Sequence, residues 1–227
     1  MKVQYFGHSC FLIETNGFKL LFDPFITPNS LASNINIENI SCDYILISHG
    51  HQDHLYDAES IAKRTNALII SNYEIVEWFK LKGVNGIGLN LGGSIELDFG
   101  TLKYVIAIHS SVLPDGTYGG NPGGFVISNE EGAFYFAGDT ALTRDMKLIP
   151  MTCPSLSFSI LPIGSHFTMD YKDALVAAQF LECDTIVGCH YDTMPVIKLD
   201  HEIAIQHFNN NSKELILIPI GESIDLF

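Results

Sequence analysis

The chain has 227 residues, of which 47% are hydrophobic and 17% are charged, and its formal net charge is −14. This composition is typical of a globular protein and excludes a disordered chain. The 12 basic residues are spread along the chain, so the basic stripe of a nucleic-acid-binding protein is excluded. No apolar run approaches the roughly 20 residues that span a bilayer. We therefore expect a small-molecule substrate, with no nucleic-acid and no membrane partner, and formation of a homo-oligomer stays open.

The N-terminus and the cysteines predict the compartment. The first residues lack the long apolar core of a signal peptide. The cysteines are odd in number, widely scattered and never in a CxxC pair, which argues against a disulfide framework and a cysteine zinc site. They are Cys10, Cys42, Cys153, Cys183 and Cys189. We expect a cytoplasmic protein in which residues 1–227 form a single domain.

Short apolar strands alternate with helices along the first half of the chain. Two strands at 11–13 and 19–22 flank a turn at 15–17, which predicts a hairpin. A strand at 44–48, a helix at 57–65, a strand at 67–70 and a helix at 74–82 follow. A second hairpin is predicted from strands at 94–99 and 102–108.

The second half repeats this order. Strands at 125–127 and 133–136 flank a turn at 129–132, and a strand at 157–161, a helix at 173–181, a strand at 185–188, a helix at 200–208 and a strand at 215–218 follow. Residues 11–23 align in outline with residues 125–139. The strand before His49 aligns with the strand before His166. Two similar halves predict an α/β fold in which two sheets pack together with helices outside.

Four possible metal ligands lie within the six residues 49–54. His49 and His51 can reach one ion from a tight loop, because Gly50 removes steric bulk between them. Asp53 and His54 follow at the start of a helix and point in other directions, so they can serve a second ion. Imidazole and carboxylate groups together favour Zn, Fe, Mn or Ni over Ca or Mg.

Three further candidates, His109, Asp139 and His190, each follow an apolar strand. Because ligands gather beyond the carboxyl ends of strands, we expect these residues to converge with the 49–54 segment. Asp23 also follows a strand. It is a candidate acceptor that fixes the tautomer of a ligand histidine.

Each candidate also has a structural interpretation. In that interpretation, the 49–54 segment is a polar surface loop, Asp139 is a turn residue, and His190 is a core or surface histidine. For His8, a role in the site and a structural role in hydrogen-bonding the loops beneath it both stay open. His166 either faces the pocket, where it could bind substrate or donate a proton, or is structural. The segment 119–124 is interpreted as a flexible loop near the pocket, since it lacks the context of a phosphate loop.

The order of these residues resembles the metallo-β-lactamase superfamily. The shared features are His-x-His-x-Asp-His at 49–54, a separate His109, the Gly-Asp-Thr segment at 138–140 and the late His190. Segments at 7–9, 23–24, 109–111 and 162–169 are similar to one branch, the uncharacterised metal-dependent hydrolases related to the ascorbate-phosphate lactonases. The resemblance covers essentially the whole chain. It implies a four-layer αββα sandwich with the site at one edge of the sheets.

The resemblance also implies roles for the residues. Two divalent metal ions are expected, with Zn as the expected metal and Mn, Fe or Ni as alternatives. The first ion is assigned to His49, His51 and His109. The second is assigned to Asp53, His54 and His190, and Asp139 bridges both. Asp53 and His166 are the expected catalytic residues.

The predicted activity is hydrolysis of a small ester, lactone, amide or phosphodiester by a metal-bound hydroxide. The alternative is a metal-dependent ligand-binding or sensor protein of the same fold that does not turn over substrate. The complete set of ligands favours the enzyme.

Overall fold

Two sheets of seven strands each form within residues 1–226, the part of the chain described by this computed structural model. The strands, numbered in chain order, are β1 Lys2–Gly7, β2 Cys10–Thr15, β3 Phe18–Phe22, β4 Tyr44–Leu46, β5 Leu68–Asn72, β6 Gly86–Leu89, β7 Ser94–Leu97, β8 Gly100–Ile106, β9 Gly123–Asn129, β10 Gly132–Phe136, β11 Phe158–Pro162, β12 Thr185–Cys189, β13 Glu214–Ile216 and β14 Ser223–Asp225.

Helices connect the parallel strands of both sheets. They are α1 Gln52–Leu55, α2 Ala58–Thr65, α3 Tyr73–Lys80, α4 Leu148–Thr152, α5 Tyr171–Phe180 and α6 His201–Asn209. Short 3-10 turns cover Ser30–Ala32, Ile37–Asn39, Arg144–Lys147 and Pro195–Ile197. None of the helices between residues 1 and 226 has the length and apolar character needed to cross a bilayer.

The two sheets have the same plan, which confirms the predicted repeat. The first has the strand order β14-β1-β2-β3-β4-β5-β6 and the second the order β13-β12-β11-β10-β9-β8-β7. In the first sheet, the three pairings from β14 to β3 are antiparallel and the three from β3 to β6 are parallel. In the second, β7 to β10 pair antiparallel and β10 to β13 pair parallel.

Aromatic side chains fill the space between the sheets. Phe22 and Phe136, from strands of different sheets, lie with ring centroids 4.7 Å apart, and both are fully buried. A second apolar cluster joins the outer face of the first sheet to α2 and α3, for example through Ile69 and Phe79. On the other side, Ala177 of α5 and Phe208 of α6 pack with the strands of the second sheet. The layers are therefore helix, sheet, sheet, helix, as the αββα prediction requires. Assignment of the chain to one domain stays a prediction.

Element boundaries differ from the sequence-based prediction at several points. Strands β1, β6 and β14 were not predicted: β6 is short and contains two glycines, β14 has three residues, and in β1 only Val3 and Tyr5 alternate with polar residues. Part of the glycine-rich segment 119–124, predicted as a flexible loop, is strand, because Gly123 and Gly124 begin β9 and pair with Ile106 and Val105.

Strand direction determines where the polar residues gather. Strands β1, β3 and β4 run in the same direction, because β1 and β3 both pair antiparallel with β2 and β4 pairs parallel with β3. In the second sheet β8, β10 and β12 share a direction for the same reason. The carboxyl ends of these strands therefore lie at the same end of each sheet, here called its ligand edge. Those edges carry the candidate ligands.

Candidate metal centre

Buried residues with left-handed backbone conformations follow three of these strands. His8, Asp23 and His190 come directly after β1, β3 and β12, with φ of 56°, 40° and 56°. Each is at most 1% exposed. A positive φ is unfavourable for residues other than glycine, so surrounding contacts must hold it, and such residues cluster at functional sites. These turns direct polar side chains into the edge of the sheets.

A first group of three histidines gathers His49, His51 and His109. One ring nitrogen from each lies within 4.8 Å of the others. His49 Nε2 and His51 Nδ1 are only 2.9 Å apart, and the His109 ring centroid lies 5.0 Å from that of His49. His49 is fully buried, whereas the His109 side chain is 14% exposed. The group is thus open on one side, as a catalytic metal site requires.

A second group lies beside the first. It contains Asp53 and His54 from α1, together with His190 and His8, with one possible ligand atom from each within 4.8 Å of the others. His54 Nε2 lies 3.8 Å from Asp53 Oδ2. The structure therefore brings together the residues predicted for the second ion, and it adds His8.

Asp139 lies between the two groups. Its Oδ2 atom is 3.0 Å from His190 Nε2 and 3.4 Å from His54 Nε2, in the second group. The same oxygen is 3.6 Å from His109 Nε2, in the first group. Its position follows from Gly138, which turns the chain after β10 with φ of 62°.

Asp23 fixes the orientation of two histidines. His54 donates from Nδ1 to Asp23 Oδ2 at 2.7 Å, so Asp23 accepts from a candidate ligand histidine as predicted, and His54 Nε2 faces the site. Ser48 also donates its hydroxyl to Asp23 Oδ2, at 2.6 Å. Because that hydroxyl proton is engaged, His49 Nδ1, 2.9 Å from Ser48 Oγ, is the donor in their hydrogen bond. His49 Nε2 then carries the lone pair that can bind a cation, and it lies 2.9 Å from His51 Nδ1. Ser48 was not among the predicted site residues, although it immediately precedes His49.

His8 supports Asp53 from below. Its Nε2 lies 3.1 Å from Asp53 Oδ2, and its Nδ1 lies 3.1 Å from Thr193 Oγ1. Burial, and then the nearby His190, lower the pKa of His8 to about 4. His8 is therefore neutral near pH 7 and donates its one ring proton to the carboxylate. His8 thus hydrogen-bonds a candidate ligand, Asp53, and a residue of the loop after β12, Thr193.

Charge in the site is unevenly distributed. Burial works to raise the pKa of Asp139, but His190 and His54 outweigh it and hold that pKa well below its ordinary value. Burial works against protonation of His54, but Asp139 and Asp23 raise its pKa well above the ordinary value. Burial lowers the pKa of His49. Without a metal, a proton on His54 thus supplies positive charge to the buried carboxylates.

The residues present fit divalent metal ions. Among residues 1–226, His54 Nε2 and Asp139 Oδ1 are buried without a hydrogen-bond partner. Orphaned polar atoms in a buried site are costly, and a cation would satisfy them. Asp53 and Asp139 supply carboxylate oxygens beside the imidazole nitrogens, a donor set that suits Zn, Mn, Fe or Ni.

A pocket of about 550 Å³ opens onto this cluster. Its lining includes His51, Asp53, His109, Asp139 and His190. His166 is an exposed residue after β11 and is not among the lining residues, but its neighbour Phe167 is. The His166 and Phe167 rings are in edge contact, with centroids 4.5 Å apart. The catalytic role of His166 stays a prediction.

The fold and the site define a class of protein that sequence comparison also identifies. Residues 2–190 match the family model of the Beta-lactamase superfamily domain. A relative from Flavobacterium johnsoniae, a UPF0173 metal-dependent hydrolase, is 53% identical over 226 residues and is covered completely, as is this chain. Another from Christiangramia forsetii is 50% identical over the full length of both chains. The chain belongs to the UPF0173 metal-dependent hydrolases of this superfamily.

Solved structures agree with this assignment. Igni18, a metallo hydrolase from Ignicoccus hospitalis, is 35% identical and superposes with a TM-score of 0.88, over 98% of this chain and 97% of that one. The isothiocyanate hydrolase from Delia radicum gut bacteria superposes with a TM-score of 0.79, over 100% of this chain and 99% of that one. It is 18% identical, so this second likeness shows the fold alone.

Proposed function

We propose that this metal-dependent hydrolase uses two divalent cations, with zinc preferred and Mn, Fe or Ni as alternatives, to hydrolyse a small ester, lactone, amide or phosphodiester. His49, His51 and His109 would hold the first cation. Asp53, His54 and His190 would hold the second, and Asp139 would be shared.

The position of Asp139 carries this proposal. One oxygen of its carboxylate lies within 3.6 Å of a histidine from each group. Two divalent cations close together repel each other strongly, and an anionic oxygen between them reduces that repulsion. A carboxylate placed in this way supports a two-metal site over two independent sites.

The bound cations would supply the reactive chemistry, since they would lower the pKa of bound water to about 7 and polarise the bond to be cleaved. The residues of the chain orient that chemistry. Asp23, directly and through Ser48, holds His54 and His49 with Nε2 directed into the site. His8 holds Asp53 by a hydrogen bond. His166, if it turns toward the pocket beside Phe167, would donate a proton to the leaving group.

We also propose that the enzyme acts on small molecules in the cytoplasm. The net charge of −14 disfavours binding to nucleic acid or anionic membranes, and the five cysteines are free thiols. Cell fractionation with an epitope-tagged chain would test the location. Recovery in a membrane or extracellular fraction would contradict it.

The decisive experiment combines metal analysis with turnover. Protein stripped of metal and reconstituted with Zn or Mn should bind about two ions per chain and hydrolyse members of a panel of esters, lactones, amides and phosphodiesters. Asp139→Asn keeps the side-chain shape but removes the charge, so it should weaken both ions and lower kcat. The matched control is Asp184→Asn, since the Asp184 side chain is 83% exposed and lies away from the site.

Two outcomes would contradict the proposal. Asp139→Asn that keeps two ions and full activity would exclude the shared ligand. Specific small-molecule binding without any turnover would favour a sensor.

For His166, we expect His166→Ala to lower kcat by roughly 10²–10⁴-fold with metal content intact, as loss of a general acid does. Unchanged kinetics would make His166 a structural residue.

A further inference from the structure

The residues that line the pocket beside the ligands are mostly apolar. The apolar ones are Phe25, Pro28, Tyr56, Phe167 and Met194, and the polar ones are Gln52 and Ser110. These five come from loops after β3, α1, β11 and β12, so four separate segments contribute to one apolar surface. Convergence of this kind is typical of a ligand site, in which apolar walls bind the ligand and a few polar groups orient it.

Two aromatic rings of this surface are open to solvent. Tyr56 is 47% exposed and Phe167 is 50% exposed, although both line the pocket that contains the candidate ligands. Large apolar side chains that are exposed together beside a polar site indicate a surface that a ligand covers. Each ring offers its face or edge to an apolar group at a low cost in conformational entropy.

The charges of the pocket have one sign. Among the lining residues that the structure describes, none is Lys or Arg, and Asp53 and Asp139 supply negative charge. Proteins recognise phosphate and carboxylate groups with Arg or Lys donors, and this pocket offers none away from the metal centre. The net charge of −14 also disfavours the approach of anions. An anionic substituent on the substrate would therefore have no counter-charge beyond the metal ions.

We infer that the substrate is an uncharged molecule in which an aryl or alkyl group, next to the bond to be hydrolysed, packs on Tyr56 and Phe167. This inference rests on the proposed hydrolysis at the neighbouring metal centre and narrows its substrate class. Neutral esters, lactones and amides with an apolar substituent fit. Substrates with a carboxylate substituent do not, and the charge of a phosphodiester would face only the metal ions.

Binding of metal-chelating probes tests the apolar surface without turnover. Isothermal titration of zinc-loaded protein would compare acetohydroxamic acid with phenylacetohydroxamic acid, which share the chelating group and differ by an aryl substituent. We expect the aryl compound to bind about 10-fold more tightly or better, because its ring leaves water. A third probe with a carboxylate on the ring should lose most of this gain.

Substitutions of Phe167 and Tyr56 test which side chains cause the preference for the aryl probe. Phe167→Ala and Tyr56→Ala should each reduce the preference for the aryl probe by several-fold while leaving the affinity for acetohydroxamic acid and the zinc content unchanged. Tyr73→Ala is the matched control, because Tyr73 is 58% exposed and is not a lining residue of the pocket. It should leave both affinities unchanged.

The outcomes separate this inference from the proposed function. Equal affinity for the two neutral probes, or tighter binding of the carboxylate probe, would overturn the apolar-substrate inference. Faster hydrolysis of a phosphodiester than of aryl esters and lactones would also overturn it, while supporting hydrolysis at the metal centre. A strong preference for the aryl probe, lost in Phe167→Ala, would support the inference even if the panel showed no turnover, and that absence would count against the proposed function.

Discussion

Asp23 Oδ2 lies 2.7 Å from His54 Nδ1, and both side chains are fully buried. The same oxygen accepts the hydroxyl of Ser48, so one carboxylate orients His54 directly and His49 through an intervening serine. A single buried anion beneath the site thus controls one candidate ligand from each group.

We expect Asp23→Asn to weaken metal binding in both groups by about 10–100-fold, the usual effect of losing a partner that orients a ligand. The amide keeps the size of the side chain but loses the negative charge that favours Nδ1–H on His54. Competition titration with a chromophoric chelator would measure the affinities. Asp43→Asn is the matched control, because Asp43 is an exposed carboxylate that accepts the backbone N–H of Lys19. Equal affinities for the two variants would contradict the orienting role.

His8 should affect one ion more than the other. Its hydrogen bond to Asp53 lies in the second group, so His8→Ala should lower the affinity of the ion held by that group by about 10-fold or more. His8→Gln retains an amide N–H donor and should recover part of that loss. Metal equivalents retained after dialysis, with each variant compared to the parent, would measure it. A uniform loss of both ions in His8→Ala, with no recovery in His8→Gln, would indicate general disruption of the fold.

Metal affinity should increase with pH. In the metal-free protein, Asp139 and Asp23 outweigh burial and raise the pKa of His54 above 6.5, so a proton occupies the site that a cation would take. The metal-free form binds this proton and the metal-bound form does not, so higher pH favours the metal. Affinity should rise by up to about 10-fold per pH unit until the raised pKa of His54 is passed.

Chelator competition at pH 6, 7 and 8 would measure this dependence. The pKa values of His8, His49, His51 and His109 are lowered, mainly by burial, so these histidines lose their protons at lower pH than His54 and add less to the slope. An affinity that is constant or falls between pH 6 and 8 would show that His54 carries no displaceable proton.

Gly138 holds Asp139 in place and tolerates no side chain. A methyl group there would lie 2.5 Å from Ser48 Cβ, at a φ of 62° that already disfavours L-residues. We expect Gly138→Ala to destabilise the fold by about 2–5 kcal/mol, from strain and overpacking together. Gly83→Ala has a similar φ of 77° but open space around it, so it should cost only about 1–2 kcal/mol. Urea unfolding of both variants would measure the difference, and equal losses would show that Ser48 moves aside freely.

The convergence of the candidate ligands could be predicted from the sequence, because strand ends are visible in it. His109, Asp139 and His190 each follow an apolar strand, and the parallel strands place them at the same edge. The repeat of two halves was also visible, since apolar strands recur in the same order. Both predictions rest on recognising single apolar strands, and hydrophobic periodicity over a few residues is enough to recognise each one.

The supporting residues were harder to predict, because their contacts join distant parts of the chain. His8 and Asp53 are hydrogen-bonded although they lie 45 positions apart in the sequence. Strand β1, which precedes His8, was not predicted, although Val3 and Tyr5 are buried in it. Tyr56 and Met194 lie in loops, and no local pattern indicates that they share one pocket with Phe167. Loop conformation depends on tertiary packing, so specificity residues were not predicted from the sequence.

The His190 backbone N–H donates to His8 O at 2.7 Å, which ties the end of the first strand to the last candidate ligand. During synthesis, the N-terminal segment with His49, His51 and His54 leaves the ribosome long before His190 does. The earliest chain therefore carries histidines without the partners that complete their sites. A metal bound at that stage would be held by fewer ligands than the folded chain provides, so the complete site requires the two halves of the chain to dock first.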